Sequence, residues 1–320
     1  MNKFVAILLL LIFFSSCIQK PKTMENLWPS DVERYWVGPQ FLSVPETDWK
    51  LDSGRLVCVK PGQNKGVVML TRTIEKPMEG FELSFEGGFL MDSLTGAGRM
   101  GVVLSLNDET DFTKGLFAGV TSGGQLQLAS VKSKIKPLVP GEKLIFDVEG
   151  TPLENGLLHL LLRVRNENSD TQLGELTADV KPEKVKGLVA LFCDKEGNGA
   201  DGDVVWFESL EITGAAIAGF PEKARGPILK VSYGFDGNNL KMTVQVARVV
   251  LDGDRKVVLQ IRDKGEWETI AQQPVDSSYL VTFNIKNIKK TDGLSFRVYT
   301  RFVDRFGSLK YHYVTGSFDQ

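Results

Sequence analysis

The stretch Phe81-Glu82-Leu83-Ser84-Phe85 indicates the fold of this 320-residue chain. Its apolar residues alternate with polar ones, and a strand places successive side chains on opposite faces of a sheet. One face of such a strand is therefore buried while the other meets solvent. Similar short apolar segments recur on both sides of it at about ten-residue spacing, which predicts two antiparallel sheets packed as a sandwich.

Turn residues support the same prediction further along the chain. Residues 118–128 carry Gly123-Gly124 between two apolar runs, and glycine permits the positive φ of a tight hairpin turn. Residues 157–164 form a longer apolar run between Gly156 and Asn166, which we interpret as a buried strand. Long helical periodicity with start and stop caps is missing from the sequence, so the chain is predicted to be all-β.

The composition of the sequence changes near Gly214, where small residues, prolines and charged residues replace the alternating pattern of strands. We predict a first sandwich over residues 29–214, a linker over 215–226 and a second sandwich over 227–320. The second set has six or seven strands in about 95 residues, which is typical of an immunoglobulin-like or fibronectin-like β-sandwich.

The first 17 residues look like a bacterial lipoprotein signal peptide. Lys3 precedes an apolar core over residues 4–14, which is too short to span a bilayer, and Ser15-Ser16 stand directly before Cys17. This pattern resembles a lipobox and predicts a lipid anchor on Cys17, followed by a tether over residues 18–28. The predicted location is the cell envelope, at the periplasm-facing outer membrane. An ordinary secretory signal with an incidental cysteine is the alternative.

Composition narrows the function classes. Lys and Arg total 38 against 40 Asp and Glu, without a basic stretch, so a nucleic-acid partner is not expected. An apolar fraction of 42% argues against disorder. Cys58 and Cys193 each lie in an apolar strand-like run, and both a disulfide and two buried free thiols stay open.

Residues with catalytic or metal-binding patterns are scarce. His159 and His312 are the two histidines, and both lie within strand-like runs typical of structural histidines. Neither has a spaced second ligand for zinc, and the nucleophile-elbow and phosphate-loop motifs are missing. We therefore predict no catalytic, cofactor-binding or metal-binding residues. Residues 194–203 are acidic and glycine-rich, so a calcium loop is the alternative to a solvated loop.

Two further groups of residues suggest the hypothesis that the protein cleaves or binds carbohydrate. Paired carboxylates in a cleft would suit glycoside hydrolysis, although alternation with apolar residues is equally typical of a solvent-facing strand. Exposed aromatic residues could stack on sugar rings, or they could belong to the core. The carboxylates are Glu82, Glu86, Glu208 and Glu211, and the aromatics are Trp28, Tyr35, Trp36 and Trp49.

Several stretches, in order, resemble the N-terminal region of bacterial PhoD-type alkaline phosphatases. They are residues 35–41 (YWVGPQF), 48–58 (DWKLDSGRLVC), 70–72 (LTR), 116–120 (LFAGV), 205–214 (VWFESLEITG), 226–229 (GPIL) and 240–243 (LKMT). The resemblance covers about residues 30–316. It implies a concanavalin/laminin-G-like jelly-roll sandwich followed by an immunoglobulin/fibronectin-like β-sandwich.

The family's metallophosphatase domain would begin just after Tyr313-Val314-Thr315-Gly316, but the sequence stops at Gln320. Metal-bridged phosphatases need clustered Asp, His and Asn ligands, and no position here matches them. The resemblance thus implies a lipid-anchored, non-catalytic accessory protein. It would present a separately encoded phosphatase domain or bind envelope material. The alternative is a carbohydrate-binding or carbohydrate-active jelly-roll lipoprotein with a glycan as partner.

Overall fold

The computed structural model describes residues 24–30, 33–90, 94–195, 202–248, 255–263, 265–288, 294–303 and 308–318. Within these ranges the chain forms β-strands joined by turns and four short 3-10 helices, with no α-helix. The all-β prediction is therefore confirmed. None of the described helices has the length and apolar character that a membrane crossing requires. The predicted signal peptide, Cys17 and the first part of the predicted tether lie outside the described residues.

The described strands fall into a first group of sixteen and a second group of seven. The first group is β1 (Met24–Leu27), β2 (Phe41–Val44), β3 (Trp49–Asp52), β4 (Arg55–Cys58), β5 (Lys65–Ile74), β6 (Phe81–Phe89), β7 (Gly98–Leu106), β8 (Leu116–Thr121), β9 (Gln125–Leu128), β10 (Val131–Lys134), β11 (Leu144–Pro152), β12 (Leu158–Asn166), β13 (Thr171–Val180), β14 (Gly187–Lys195), β15 (Val205–Thr213) and β16 (Ile217–Gly219). The second group is β17 (Ile228–Asp236), β18 (Asn239–Val246), β19 (Lys256–Asp263), β20 (Glu266–Pro274), β21 (Leu280–Ile285), β22 (Ser295–Val303) and β23 (Leu309–Ser317). The 3-10 helices are Glu46–Asp48, Pro77–Glu79, Pro182–Lys184 and Pro221–Lys223.

The first group forms two antiparallel sheets. In the described residues the back sheet has the order β13-β12-β11-β6-β15-β4-β3, with β1 also paired to β15. The front sheet has the order β10-β9-β8-β7-β14-β5-β16, with β2 also paired to β5. The chain passes between the sheets several times, so their inner faces enclose one core.

The alternation seen in the sequence sets this core. Phe81, Leu83 and Phe85 of β6 are buried, while Glu82 between them is exposed. Phe85 stacks on Phe146 of β11, with ring centroids 4.5 Å apart and planes 5° from parallel. The predicted hairpin over residues 118–128 is confirmed as β8 and β9, which pair around a turn. Residues 157–164 also form a strand, β12, with alternate residues buried.

The second group forms a three-stranded sheet, β17-β18-β21, and a four-stranded sheet, β20-β19-β22-β23, within the described residues. The buried side chains of both sheets form one hydrophobic cluster, separate from the core of the first sandwich. Met242 and Phe283 from one sheet and Leu259 and Val298 from the other lie at its centre, each fully buried. The seven strands of this part agree with the six or seven that the sequence predicts.

The structure differs from the prediction in the first half of the linker, residues 215–226. Ile217–Gly219 form β16, which pairs with β5 at the edge of the front sheet. Ala216 and Ile217 are buried in the first core, with 1% of each exposed. The small residues at these positions are typical of a linker, and the sequence alone does not show that they pair with β5. The connection between the two groups of strands therefore narrows to residues 220–227.

A segment before β2 reaches across to the second group of strands. The N–H groups of Tyr35 and Trp36 both donate to the carbonyl oxygen of Arg248, each at 3.1 Å. Trp36 is 5% exposed and packs in the second cluster, edge-on to Phe302 at 5.4 Å. Trp36, which lies between β1 and β2 of the first group, thus completes the core of the second group.

The two cysteines that follow Cys17 in the sequence lie on facing sheets. Cys58 on β4 and Cys193 on β14 are both buried free thiols in the same core. The hydrogen bond with Cys58 and the burial of the site raise the pKa of Cys193 well above its ordinary value. Because the thiolate is the reactive form of cysteine, Cys193 is expected to be chemically inert in the native protein.

Glu46 lies at the junction between the two groups of strands. Its Oε1 accepts a hydrogen bond from the backbone N–H of Arg248 at 3.3 Å. Burial raises the pKa of Glu46 above its ordinary value, and the hydrogen bond and positive charge of Arg248 only partly oppose that shift. The carboxyl group of Glu46 is therefore protonated more readily at this junction than it would be in water.

We expect Glu46→Gln to be slightly more stable than the wild type at pH 8, and to lose this advantage as the pH falls. A raised folded-state pKa stabilises the native protein at low pH, and that contribution disappears as the pH rises through the folded pKa. Glutamine resembles the protonated carboxyl at every pH. Urea unfolding at pH 8 and pH 4 measures the difference, with the exposed Glu222→Gln as control. A Glu46→Gln variant that is less stable than the wild type at pH 8 would contradict this reasoning.

Candidate functional site

The outer face of the front sheet carries a groove of about 960 Å³. Strands β7, β8, β9 and β14 form its floor, and the segment before β8 forms one wall. The groove exists because side chains on these strands alternate between the core and the outer face. Met100 and Val102 of β7 point into the core, so Arg99 and Val103 lie on the groove side.

Aromatic rings form the apolar part of the floor. Phe112, Phe117 and Phe192 belong to a hydrophobic cluster on the outer face of the front sheet, apart from the inter-sheet core. The ring of Phe192 lies 5.8 Å from that of Phe112 and 5.9 Å from that of Phe117. An apolar floor next to polar side chains is typical of ligand sites in proteins.

Glycine makes room for one of these rings. A Cβ atom on Gly66 of β5 would lie 2.5 Å from the ring of Phe112, which is closer than side-chain atoms approach one another. Phe112 can therefore lie on the front sheet only because residue 66 has no side chain. A larger residue at this position would push the wall of the groove off its floor.

Arg99 is the central polar group of the groove. Its guanidinium carbon lies 4.3 Å from the ring centroid of Phe117, and its Nη1 pairs with Asp194 Oδ2 at 3.3 Å. Less than a fifth of either charged side chain is exposed. Among the described residues, the buried Nε of Arg99 has no hydrogen-bond partner. A buried donor without a partner costs free energy, so this atom is an unsatisfied polar group beside the groove.

Asn64 connects Asp194 to the groove wall. The N–H of Asn64 donates to Asp194 Oδ1 at 3.1 Å, and its side-chain oxygen accepts the N–H of Phe112 at 3.1 Å. Its amide nitrogen donates to the carbonyl oxygen of Thr110 at 3.3 Å. One residue therefore fixes both the carboxylate partner of Arg99 and the segment that carries Phe112.

The rim of the groove is polar. Gln127 of β9 donates from its amide nitrogen to the carbonyl oxygen of Ala129 at 2.9 Å, which fixes the side chain. Ser105 donates to the carbonyl oxygen of Glu183 at 3.2 Å. Lysines 114, 184 and 195 also line the groove. The site combines these hydrogen-bonding groups with an apolar floor, in which the rings of Phe112, Phe117 and Phe192 are at most 7% exposed.

The acidic residues of the 194–203 loop, for which calcium binding is the alternative to a solvated loop, are engaged by protein groups as far as the structure describes them. Asp194 pairs with Arg99, as described above. Asp203 is fully buried and accepts the N–H groups of Thr95 at 2.8 Å and Gly98 at 3.2 Å. It also accepts the hydroxyls of Thr95 and Ser122. Residues 196–201 lie outside the described residues, and the remaining chain contains no cluster of three or more metal-ligating side chains.

The carboxylates considered for glycoside hydrolysis lie on the outer face of the back sheet, away from the groove. Glu86 and Glu208 both pair with Lys143, at 2.9 and 3.1 Å. Partial burial lowers the pKa of the Lys143 ammonium, but hydrogen bonds to Glu86, Glu167 and Glu208 raise it by more, so the net shift is upward. Glu82 and Glu211 are exposed. These contacts are those of a solvent-facing sheet.

The aromatic residues considered for sugar stacking belong mostly to the cores. Trp28, Trp36 and Trp49 are at most 6% exposed. Tyr35 is partly exposed, and the guanidinium of Arg248 covers its ring at 4.5 Å. The stacking hypothesis is therefore wrong for the three tryptophans, because the apolar neighbours that bury them leave no ring face open.

Both histidines lie on strands. His159 on the outer face of the back sheet contacts Asp179, with Nδ1 and Oδ1 2.6 Å apart. His312 on β23 packs against Gly226, and burial lowers the pKa of its ring. Neither residue lines the groove.

No protein-family model and no curated protein matches the chain. Solved structures with a similar course of the chain include lectin II from Ulex europaeus, at 10% identity and a TM-score of 0.44, covering 61% of this chain and 99% of the lectin. Peanut lectin is similar at 10% identity and a TM-score of 0.43, covering 62% of this chain and all of the lectin. An alginate lyase from Aplysia kurodai is similar at 10% identity and a TM-score of 0.38, covering 55% and 91%.

Proposed function

We propose that this protein binds carbohydrate in the groove on the outer face of the front sheet. The observation that carries the proposal is the position of Arg99, which lies against the ring of Phe117 with its buried Nε unpartnered among the described residues. Sugars present both an apolar ring face and several hydroxyl groups. The apolar floor of the groove and the fixed guanidinium beside it complement these two features.

The charged pair suits recognition of hydroxyl groups. Arg99 is balanced by Asp194, so the pair offers donors and an acceptor without a large net field. Such fixed polar groups orient a ligand with little loss of side-chain entropy on binding. Because Asn64 holds Asp194 in place, the geometry exists before the ligand arrives.

Binding without cleavage fits the groove better than hydrolysis. Glycosidases need two carboxyl groups on opposite sides of the scissile bond, one of them able to donate a proton. Among the described residues, two carboxyl groups line the groove, those of Asp194 and Glu183. Asp194 accepts hydrogen bonds from Arg99 and from the N–H of Asn64, which position it as the partner of Arg99. Glu183 is exposed to solvent. We therefore propose a binding protein, in line with the carbohydrate-binding alternative rather than with the phosphatase-accessory role.

The fold type of each sandwich is also part of this proposal. Repeated passage of the chain between two antiparallel sheets supports a concanavalin-like jelly roll for the first sandwich. Facing three- and four-stranded sheets with one core support an immunoglobulin/fibronectin-like second sandwich. The lipid anchor on Cys17, the location at the periplasm-facing outer membrane and the phosphatase partner remain predictions from the sequence.

A glycan array followed by calorimetry tests the proposal. We expect the purified chain to bind a defined set of oligosaccharides. Arg99→Met should weaken binding of the selected oligosaccharide about tenfold, which corresponds to about 1.4 kcal/mol. Gln127→Ala, on the rim, should weaken it less.

The matched control is Arg163→Met on the outer face of the back sheet, where Arg163 pairs with Glu175. It removes the same side chain from a face without the groove and should leave affinity unchanged. Equal affinity of Arg99→Met and Arg163→Met, with both variants folded by circular dichroism, would reject the groove as the site. Failure of every oligosaccharide to bind would reject the proposal itself.

A further inference from the structure

The outer face of the four-stranded sheet carries aromatic rings interleaved with arginines. We call it the tyrosine–arginine face, and its members are Trp267, Arg297, Tyr299, Arg301, Tyr311 and Tyr313. It lies on the second group of strands, whereas the groove lies on the first. A function for this face is therefore independent of the groove.

Strand register brings these side chains together. Tyr299 of β22 pairs with Tyr313 of β23, and Arg301 pairs with Tyr311. Because side chains alternate along a strand, residues two apart share a face. Phe296 and Val298 of β22 point the other way and are buried in the second cluster. The tyrosines and arginines therefore project away from that core.

The rings form a continuous surface. The ring centroid of Tyr299 lies 5.2 Å from that of Tyr313 and 5.9 Å from that of Tyr311. The guanidinium carbon of Arg297 lies 4.4 Å from the ring of Trp267 and 5.1 Å from that of Tyr313. Arginine thus links the tryptophan to the tyrosines through cation–π contacts.

The face is open. Tyr311 and Tyr313 are 50% and 47% exposed, and Arg301 is also exposed. Exposed aromatic rings that contribute little to a core are typical of recognition surfaces. Their exposure leaves a large part of each ring available to a ligand.

Within the described residues, the charged side chains of this face are all positive. At the outward positions of β19 and β20, the neighbours are Val258, Gln260, Thr269 and Gln272, and β22 supplies arginines. No carboxylate occupies an outward position of these strands in the part that the structure describes. Arginine forks bind carboxylate and sulfate-like groups in two-point contacts, so the complementary partner is anionic.

We propose that the tyrosine–arginine face binds an acidic polysaccharide. Tyrosine rings would stack on the apolar faces of successive sugar rings, and the arginines would pair with their acidic groups. The chain has a formal net charge of −2 and no long basic stretch in its sequence, which is unlike a nucleic-acid-binding protein. The proposal thus adds a second site, for a charged polymer, to the groove proposed for oligosaccharides.

Affinity electrophoresis of the full chain through gels containing polygalacturonate, dextran sulfate or neutral dextran tests this site. We expect retardation by at least one acidic polymer, weaker at high salt, and none by dextran. The double variant Tyr311→Ser/Tyr313→Ser should lose at least tenfold in affinity. Arg297→Gln should also weaken binding. Arg163→Gln, which removes the same charge from the back sheet, is the matched control.

The outcomes separate this site from the groove. Arg99→Met should bind the acidic polymer as the wild type does, although it binds the array-selected oligosaccharide more weakly. Absence of binding to both acidic polymers, or equal retardation of the wild type and the folded double variant, would overturn the proposal. Loss in the double variant of binding to phosphatidylglycerol vesicles, without any polymer binding, would assign the face to a lipid surface and likewise overturn it.

Discussion

Replacing Asp203 with alanine is expected to lower the free energy of unfolding by about 3–5 kcal/mol. Asp203 is fully buried, and its carboxylate accepts hydrogen bonds from the backbone of Thr95 and Gly98 and from the hydroxyl of Ser122. Alanine would leave these donors buried without an acceptor. Each unsatisfied buried donor costs about 1–3 kcal/mol.

The effect should extend to the groove. Gly98 directly precedes Arg99 on β7, and the carboxylate of Asp203 holds that end of the strand. We therefore expect Asp203→Ala to weaken oligosaccharide binding as well as stability. Asp203→Asn keeps one acceptor oxygen and should lose roughly half as much stability.

Urea unfolding followed by circular dichroism measures this prediction, with Glu154→Ala at an exposed turn as control. The control should change the free energy of unfolding by less than about 0.5 kcal/mol. If Asp203→Ala and the control were equally stable, the carboxylate would have no structural role. A calcium-dependent stability of the wild type that disappears in Asp203→Ala would instead support the calcium loop.

Trp36→Ala is expected to destabilise the second group of strands by about 3–5 kcal/mol, the usual cost of truncating a buried large aromatic residue. The Trp36 side chain packs against Phe302, and the guanidinium of Arg34 lies 4.8 Å from its ring centroid. Arg34 also donates to the Trp36 carbonyl oxygen at 2.7 Å. The variant would open a cavity in the second cluster and loosen the segment that joins both groups of strands.

Hydrogen exchange locates this effect. Amides of β17–β23 should exchange faster in Trp36→Ala, while those of β6 and β11 in the first core should change little. Trp267→Ala, at a partly exposed position, is the matched control and should have a much smaller effect. Unchanged protection of β17–β23 would show that Trp36 does not stabilise the second core.

Local pattern was enough to predict the strands. The alternation in residues 81–85 is a property of the chain itself, and Gly124 has the positive φ, 83°, that its turn requires. Pairing between distant segments was not predictable in this way. The role of Trp36 depends on Arg248, more than 200 residues later, and β16 depends on pairing with β5.

Two apolar runs in the sequence indicate the outer cluster beside the groove, because they do not alternate with polar residues. Val67-Val68-Met69-Leu70 and Leu188-Val189-Ala190-Leu191-Phe192 are continuous apolar runs, although antiparallel strands with one wet face alternate. Such runs indicate cover on both faces, and the structure provides it with the outer cluster around Phe112 and Phe117. Arg99 could not be singled out, because its partners Asp194 and Phe117 come from other strands.

The crystal structure of the chain with an array-selected oligosaccharide tests the central claim most directly. We expect a sugar bound in the groove, with a ligand oxygen within hydrogen-bond distance of the Arg99 guanidinium. A sugar bound outside the groove, without a contact to Arg99, would contradict the proposal.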